Sequence, residues 1–230
     1  MWSHASAEAL KLSLRVSIAA TLLMALIGIP VAFWLARRRS LLSRIVECLV
    51  SLPLVIPPVV TGHLLLVVLS PNRFLGRRLD RLGLRFALDW KGAVTAAAVV
   101  AFPIFLVIAR TAFQRCDSRL EDAARVLNSS RARVLFTITI PIALPGLLAA
   151  AAVAFARAFG EFGATMMLAG NIPGQTRTIP QAIYSELLAG REGSAWSLTS
   201  VSIAVGVAAM AASQMLIRRD SRQIGVAPNA

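Results

Sequence analysis

The sequence has few of the residues on which enzymes and metal sites depend. Its 230 residues include two lysines, two histidines, two cysteines and one tyrosine, and only 15% are charged. Neither Lys11 nor Lys91 follows a glycine, so the chain has no G-x-x-x-x-G-K-[ST] phosphate loop. The histidines and cysteines lack metal-ligand spacing, and no Ser-His-Asp arrangement can be argued from the sequence. We therefore expect a non-catalytic chain with no metal and no cofactor, which does not itself hydrolyse ATP.

Apolar residues, in contrast, are abundant: the hydrophobic fraction is 57% and the mean hydropathy is +0.71. A helix needs about 20 apolar residues to cross a bilayer. Five runs meet this length: 12–36, 45–69, 92–112, a run that begins after Pro141 and Pro145 and ends at about Gly170, and 196–217. The sequence thus predicts an all-α polytopic membrane protein, with residues 1–230 as a single transmembrane domain.

The basic residues report on topology. The sequence pI is about 11.7, but the arginines stand at the ends of apolar runs, which argues for membrane topology rather than nucleic-acid binding. With the N-terminus outside, the inner segments 37–44, 110–133 and 218–230 hold 13 Arg in 45 residues. The outer segments hold 10 Lys or Arg in 61 residues. The positive-inside rule therefore predicts an outer N-terminus and a cytoplasmic C-terminus.

The second run contains helix breakers. Pro53 and the pair Pro57 and Pro58 remove backbone donors and should kink or break the helix near its middle. In lipid such breaks are tolerated where protein or a cavity satisfies the freed carbonyls. Thr61 and Gly62, just beyond the break, are therefore candidates to line a translocation path.

Two segments between runs are predicted outside the membrane core. The outer loop 71–91 is amphipathic and basic, which suits either the lipid headgroup layer or the attraction of an anion or an acidic partner. In segment 171–195, apolar residues repeat every four positions behind Pro180. We expect a short outer or re-entrant helix between Arg177 and Leu188, a possible sixth element.

One charged pair falls inside the fourth run. Arg157 and Glu161 are four residues apart, with Gly160 and Gly163 beside them. A charge at the bilayer centre is expensive, so the pair should face the bundle interior or a watery path. It can be a structural ion pair that fixes helix packing or a direct contact for the substrate. Together with Gly163, these residues are candidates for the translocation path.

The polar segment 117–141 carries the clearest signs of a folded element between spans. Ser118 and Glu121 form an S-x-x-E capping box, and Asn128 suits a left-handed helix end. The helix between them has a small apolar face, formed by Leu120, Ala123, Ala124 and Leu127. A face of this size cannot build a core, so we expect a partner protein to cover it.

This segment resembles the EAA loop of ABC-transporter permeases, a Glu-Ala-Ala followed by Gly and then by I-x-L-P. Here the register is Asp122-Ala123-Ala124, Asn128 and Ile138-Thr139-Ile140-Pro141, with Asp for the family's Glu and Asn for its Gly. The resemblance implies a type I importer fold in which this loop is the cytoplasmic coupling helix that docks on the ATP-hydrolysing subunit. The residues it assigns to coupling are Leu120, Asp122, Ala123, Ala124, Leu127, Asn128, Ile138, Ile140 and Pro141.

Two further stretches narrow the resemblance. Residues 52–66 and 156–184 are similar to permease subunits of molybdate transporters, and the run from Gly174 to Tyr184 looks closer to these than to sulfate permeases. The resemblance implies an importer in the bacterial inner membrane with a second copy of this chain, two ABC ATPase subunits and a periplasmic or extracellular oxyanion-binding protein. It also makes Arg177 and Thr178 candidates in the outer segment. The alternatives are a sulfate or tungstate permease and a stand-alone secondary transporter that uses the charged pair as its ion site.

Overall fold

The computed structural model describes residues 3–38, 40–126 and 128–223, and the side chains at positions 118, 125 and 218–223 fall outside the described part. The described residues form eleven α-helices and one π-helix, and they contain no strand. The predicted all-α fold is confirmed. The α-helices are α1 His4–Arg37, α2 Leu41–Val55, α3 Pro58–Leu69, α4 Phe74–Arg81, α5 Trp90–Gln114, α6 Ser118–Val126, α7 Arg131–Val134, α8 Ile140–Phe159, α9 Gly163–Ala169, α10 Ile179–Leu188 and α11 Glu192–Gln223.

Within the described residues, four helices are long and apolar enough to cross a membrane, and a bent pair supplies a fifth span. The four are α1, α5, the continuous run Arg131–Phe159 and the part of α11 that covers Glu192–Ile217. The bent pair is α2 with α3. This count agrees with the predicted number of about five transmembrane helices.

The break in the second span lies where the prolines predict it. α2 ends at Val55 and α3 begins at Pro58, and the two helices are bent by 115° at this point. Pro57 and Pro58 have no N–H groups to donate to the preceding turn. Pro58 also occupies the first turn of α3, where no donor is needed.

The fourth span differs from the sequence prediction at both ends. It begins at Arg131 rather than after the prolines, and α8 ends at Phe159 instead of continuing to about Gly170. The remainder forms the separate helix α9. Gly160 has weak helix propensity and serves as the C-cap of α8. The carboxylate of Glu161 then accepts a hydrogen bond from the backbone N–H of Ala164 in the first turn of α9.

Small side chains on α1, α5 and α8 allow close packing at the centre of the bundle. Ala97, Ala101 and Ala109 of α5 are buried. Gly28 of α1 lies so near Phe105 that a methyl group built on it would be 2.6 Å from the ring. In lipid, helix association depends on such close contact because the tails are as apolar as the side chains.

Large apolar side chains point outward from the bundle. Leu22 and Leu26 of α1, Val55 of α2, and Ile203 and Val207 of α11 are all more than half exposed. An apolar surface of this extent must be covered by lipid or by another protein chain. The exterior of the bundle therefore fits a bilayer.

Two short helices lie in the segments predicted outside the membrane core. α4 falls within 71–91, and its Gly76 packs so closely on the end of α3 that a methyl group there would lie 2.1 Å from the carbonyl oxygen of Ser70. α10 falls within 171–195 and has Pro180 in its first turn, as the sequence predicts. It packs against α1 and α11.

Candidate coupling and translocation sites

The predicted loop helix is present as α6, nine residues long. Its apolar face turns away from the bundle, since Leu120 is 49% exposed, Ala123 is exposed and Ala124 is half-buried. Asn128 has a φ of 58°, which confirms the left-handed conformation predicted for the helix end. Leu127, also assigned to this face, lies outside the described residues. The helix thus presents a small apolar surface on which a partner can dock.

The other residues assigned to coupling lie in two places. Asp122 is exposed on α6, and Pro141 is exposed at the start of α8. Ile138 and Ile140 are half-buried where the fourth span begins. They belong to the junction between the loop and the bundle, whereas Asp122 belongs to α6 itself.

The opposite side of α6 is anchored by Glu121, which is only 6% exposed. Its Oε1 accepts a hydrogen bond from Thr139 Oγ1 at 2.9 Å and forms an ion pair with the guanidinium of Arg37, the last residue of α1. The sequence assigned Glu121 to a capping box with Ser118, whose side chain lies outside the described part. The spacing gave no sign of these two partners, because one lies 84 residues away in the chain. Glu121 therefore joins α6 to the first and fourth spans.

A π-helix, Leu135–Thr139, connects α7 to α8. Because Pro141 has no N–H, the carbonyl of Thr137 loses the donor that an α-helix would supply. The backbone N–H of Ile140 donates to the carbonyl of Leu135, five residues back. Wider turns of this kind often occur at functional sites. The wide turn therefore lies at the point where the loop enters the fourth span.

Arg157 and Glu161 form the ion pair that their spacing predicts. Arg157 Nη1 donates to Glu161 Oε2 at 2.7 Å, while Glu161 Oε1 accepts from the backbone N–H of Ala164 at 2.8 Å. Glu161 is 3% exposed, whereas the Arg157 side chain is 32% exposed. One carboxylate thus neutralises an arginine and caps α9, which fixes the break between α8 and α9.

The two groups of path candidates meet where α3 packs against α9. A methyl group on Gly62 would lie 2.6 Å from Cα of Ala164, and one on Gly163 would lie 2.9 Å from Cγ2 of Val59. Thr61 is buried beside them, and among the described residues its hydroxyl has no hydrogen-bond partner. The structure therefore brings Thr61, Gly62 and Gly163 together within the subunit.

The outer-segment candidates hold a loop in place. Arg177 Nε donates to Asn171 Oδ1 at 2.7 Å, and the backbone N–H of Thr178 donates to Gln181 Oε1 at 2.8 Å. Gln181 is fully buried, and its Nε2 donates to the carbonyl of Gly170 at 3.0 Å. Sequence reasoning missed Gln181, although its position three residues after Thr178 is that of a capping-box partner. These contacts tie the end of α9 to the start of α10.

An ion pair between Glu186 and Arg191 lies where α10 meets α11. Arg191 donates to both carboxylate oxygens of Glu186, at 2.7 and 2.8 Å. The hydrogen bond from Arg191 holds the pKa of Glu186 below its ordinary value. The pair closes the turn between the two helices.

The fold places the two candidate sites at opposite parts of one span. α8 begins beside α6 and ends at the Arg157–Glu161 pair. A displacement of α6 therefore has a direct helical route to the break next to α3 and α9.

The chain combines apolar spans with two helix breaks, one of which carries a charged pair, and with an exposed amphipathic loop helix. This combination is typical of a multi-pass subunit of a membrane transport system. The chain belongs to the family of binding-protein-dependent transport system inner membrane components, whose model matches residues 28–222. It is 44% identical over 220 residues to the molybdenum transport system permease protein ModB of Escherichia coli K12, with 95% of this chain and 96% of the relative covered. It is 41% identical over 220 residues to the protein of the same name from Haemophilus influenzae, with 95% and 96% covered.

The fold is also similar to a chain of the MetNI methionine ABC transporter, solved in inward-facing conformations. The TM-score is 0.69 at 17% identity, and the match covers 92% of this chain and 94% of that one. This match shows the fold, and the family match with the two relatives confirms the resemblance to ABC-importer permeases.

Proposed function

We propose that this chain is the membrane-spanning subunit of an ATP-driven molybdate importer, which forms the translocation path and couples it to a separate ATPase. The observation that carries the coupling role is α6, whose apolar face is exposed while its other side is tied into the bundle through Glu121. The assignment of molybdate as the substrate rests on the names of relatives that match 95% of the chain.

The functional importer contains two copies of this chain, two ABC ATPase subunits and an oxyanion-binding protein on the outer side. The family's description as binding-protein-dependent supports the last of these. The exposed apolar residues of α2 and α3 supply surface for a second copy or for lipid. The path then runs between the two copies.

Closure of the ATPase dimer on ATP draws the two copies of α6 together. The Glu121–Arg37 ion pair passes this motion to α1, and the contact with Thr139 passes it to the start of α8. The bundles rotate from inward-open to outward-open, the binding protein delivers the anion, and hydrolysis of ATP resets the inward-open state for release.

The chain lies in the inner membrane with its N-terminus outside and its C-terminus in the cytoplasm. Two contacts of α1 support this orientation, because they place α6 at one end of the helix and α10 at the other. Arg37, at the end of α1, contacts α6, whereas Ser13, near the start of α1, accepts from the backbone N–H of Ile179 at the start of α10. Because α6 must meet an ATPase, the Arg37 end is cytoplasmic.

The alternatives differ in substrate or in energy source. A sulfate or tungstate permease would have the same architecture, because molybdate, tungstate and sulfate are all tetrahedral dianions. A stand-alone transporter would need Arg157 and Glu161 as its ion site. Both carboxylate oxygens of Glu161 are engaged, by Arg157 and by the backbone of Ala164, which favours a structural role for the pair.

Competition for uptake tests the substrate. Cells that express this chain with its partner ATPase and binding protein are given labelled molybdate, alone or with excess sulfate or tungstate. We expect uptake that resists sulfate. Strong competition by sulfate would transfer the chain to the sulfate permeases, and preference for tungstate would make tungstate the substrate.

Copurification tests the docking role of α6. Ala123→Arg places a bulky charge on the exposed apolar face and should abolish association with the ATPase while the bundle stays folded. Ala5→Arg makes the same substitution at an exposed alanine at the far end of α1 from Arg37 and should leave association intact. Normal copurification of the Ala123 variant would contradict the assignment of α6 as the coupling helix.

A further inference from the structure

A cavity of about 590 Å³ lies at the Arg37 end of the bundle. The last turns of α1 form one wall, and α6, α7 and the π-helix form the others. Its lining combines two aromatic rings, Phe33 and Trp34, with charged side chains from both walls. Arg37, Glu121 and Thr139 in its lining belong to the proposed coupling route, but no step of the transport cycle uses the enclosed space itself.

The charges around the cavity leave an excess of arginine. Arg37, Arg38 and Arg131 line it against the carboxylates of Glu121 and Asp122. Arg37 is neutralised by Glu121, and its buried Nε has no hydrogen-bond partner among the described residues. In the part of the chain that the structure describes, no carboxylate pairs with Arg38 or Arg131. Arg38 and Arg131 face the cavity from different walls, and the three arginines outnumber the two carboxylates by one, so the cavity favours an anion.

The aromatic residues favour an anion that comes with a lipid tail. Trp34 stands at the end of the first span, where tryptophan commonly marks the membrane–water interface. Ile27 lies seven residues earlier, on the same face of α1, and is half exposed to the apolar surroundings. A molecule with its phosphate between the arginines could thus lay its acyl chain along α1. Basic pockets between transmembrane helices are known to take phospholipid headgroups.

We infer that this cavity binds the phosphate headgroup of an anionic phospholipid. Arg38, the C-cap of α1, and Arg131 of α7 pair with the phosphate, and Trp34 packs beside the glycerol and upper acyl region. The lipid bridges the first span to the segment that follows α6, and so it holds the coupling helix against the bundle. The leaflet is the cytoplasmic one in the orientation proposed above, but binding itself depends on neither the orientation nor transport.

Native mass spectrometry of the purified full-length chain tests this site. Phosphatidylglycerol or phosphatidylcholine is titrated onto the detergent-solubilised protein, and the dissociation constant of the tightest bound lipid is compared between variants. Arg38→Gln with Arg131→Gln should weaken phosphatidylglycerol binding roughly thirtyfold, because each arginine near an anionic lipid contributes about fivefold. Phosphatidylcholine binding should not change. Arg38→Lys with Arg131→Lys keeps both charges and should retain most of the affinity.

The control removes the same charge elsewhere. Arg73→Gln with Arg81→Gln alters two exposed arginines of the outer loop 71–91 and should leave the affinity of the tightest site unchanged. Equal weakening in both double variants, or in neither, would overturn the proposal. Displacement of the lipid by millimolar inorganic phosphate or molybdate would also overturn it, since the cavity would then be a site for a free anion.

Discussion

Arg157 and Glu161 face each other across the break between α8 and α9, with Nη1 of the arginine 2.7 Å from Oε2 of the glutamate. The second oxygen of the same carboxylate is bound to the backbone N–H of Ala164. The carboxylate is buried and the arginine is one-third exposed. The pair therefore fixes a helix break, and its arginine remains partly exposed beside that break.

A double-mutant cycle tests this structural role. Glu161→Gln keeps an acceptor for the N–H of Ala164 but leaves Arg157 without its counter-charge. We expect a loss of about 2 kcal/mol in stability, because removing one partner of a buried pair leaves the other uncompensated. Arg157→Gln in addition should restore much of this loss. Thermal unfolding of the purified variants in detergent measures the effect, and strictly additive losses would show that the two residues do not act as a pair.

The second prediction concerns the anchor of α6. Glu121→Gln removes the charge that pairs with Arg37 but leaves the exposed face of α6 unchanged. The ATPase should still copurify, while stimulation of its activity by the loaded binding protein should fall at least several-fold because the motion no longer reaches α1. Glu47→Gln is the matched control, since Glu47 pairs with Arg110 away from α6. Full stimulation of the Glu121 variant would argue against this route.

Close contact between α3 and α9 leads to a third prediction. Gly62→Ala would place a methyl group 2.6 Å from the backbone of Ala164 and should destabilise the protein by roughly 1–3 kcal/mol through overpacking. At Gly206, inside α11, none of the described residues beyond the helix's own turn lies within 4 Å of the added methyl group. Gly206→Ala should therefore leave stability unchanged or raise it slightly. Thermal unfolding midpoints compare the two, and equal midpoints would mean that α3 and α9 do not pack this closely.

Acid should weaken the turn between α10 and α11. The pKa of Glu186 is lowered from its ordinary value of 4.5 by the hydrogen bond from Arg191. Its contribution to stability is thus fully present above pH 4.5 and is lost as the pH falls through the lowered folded-state value. Wild type should therefore unfold at a slightly higher temperature than Glu186→Gln at neutral pH, and this difference should vanish in acid. A difference that persisted at low pH would exclude the carboxylate as its source.

The helices were predictable from local signals. Apolar run length indicated the spans, Pro57 and Pro58 indicated the bend, and Asn128 indicated the end of α6. Each of these signals acts within a few residues of the structure it determines. The resemblance to ABC permeases assigned the chain to a family, and the comparisons confirmed that assignment.

What the sequence did not reveal depends on contacts between distant segments. Glu121 is buried against Arg37 and Thr139, and Gly62 packs against Ala164. No local sequence pattern indicates either contact. The split of the fourth span was missed for a different reason. Residues around Gly160 are apolar enough to continue a span, and only the capping contact of Glu161 shows that a second helix starts there.

Uptake of labelled molybdate with an inactive ATPase tests the central claim most directly. The chain is expressed with its binding protein and with an ATPase in which the lysine of the phosphate loop is replaced by alanine. We expect uptake to disappear, although all subunits still assemble. Uptake that persists without ATP hydrolysis would contradict the account and would point to a transporter that works alone.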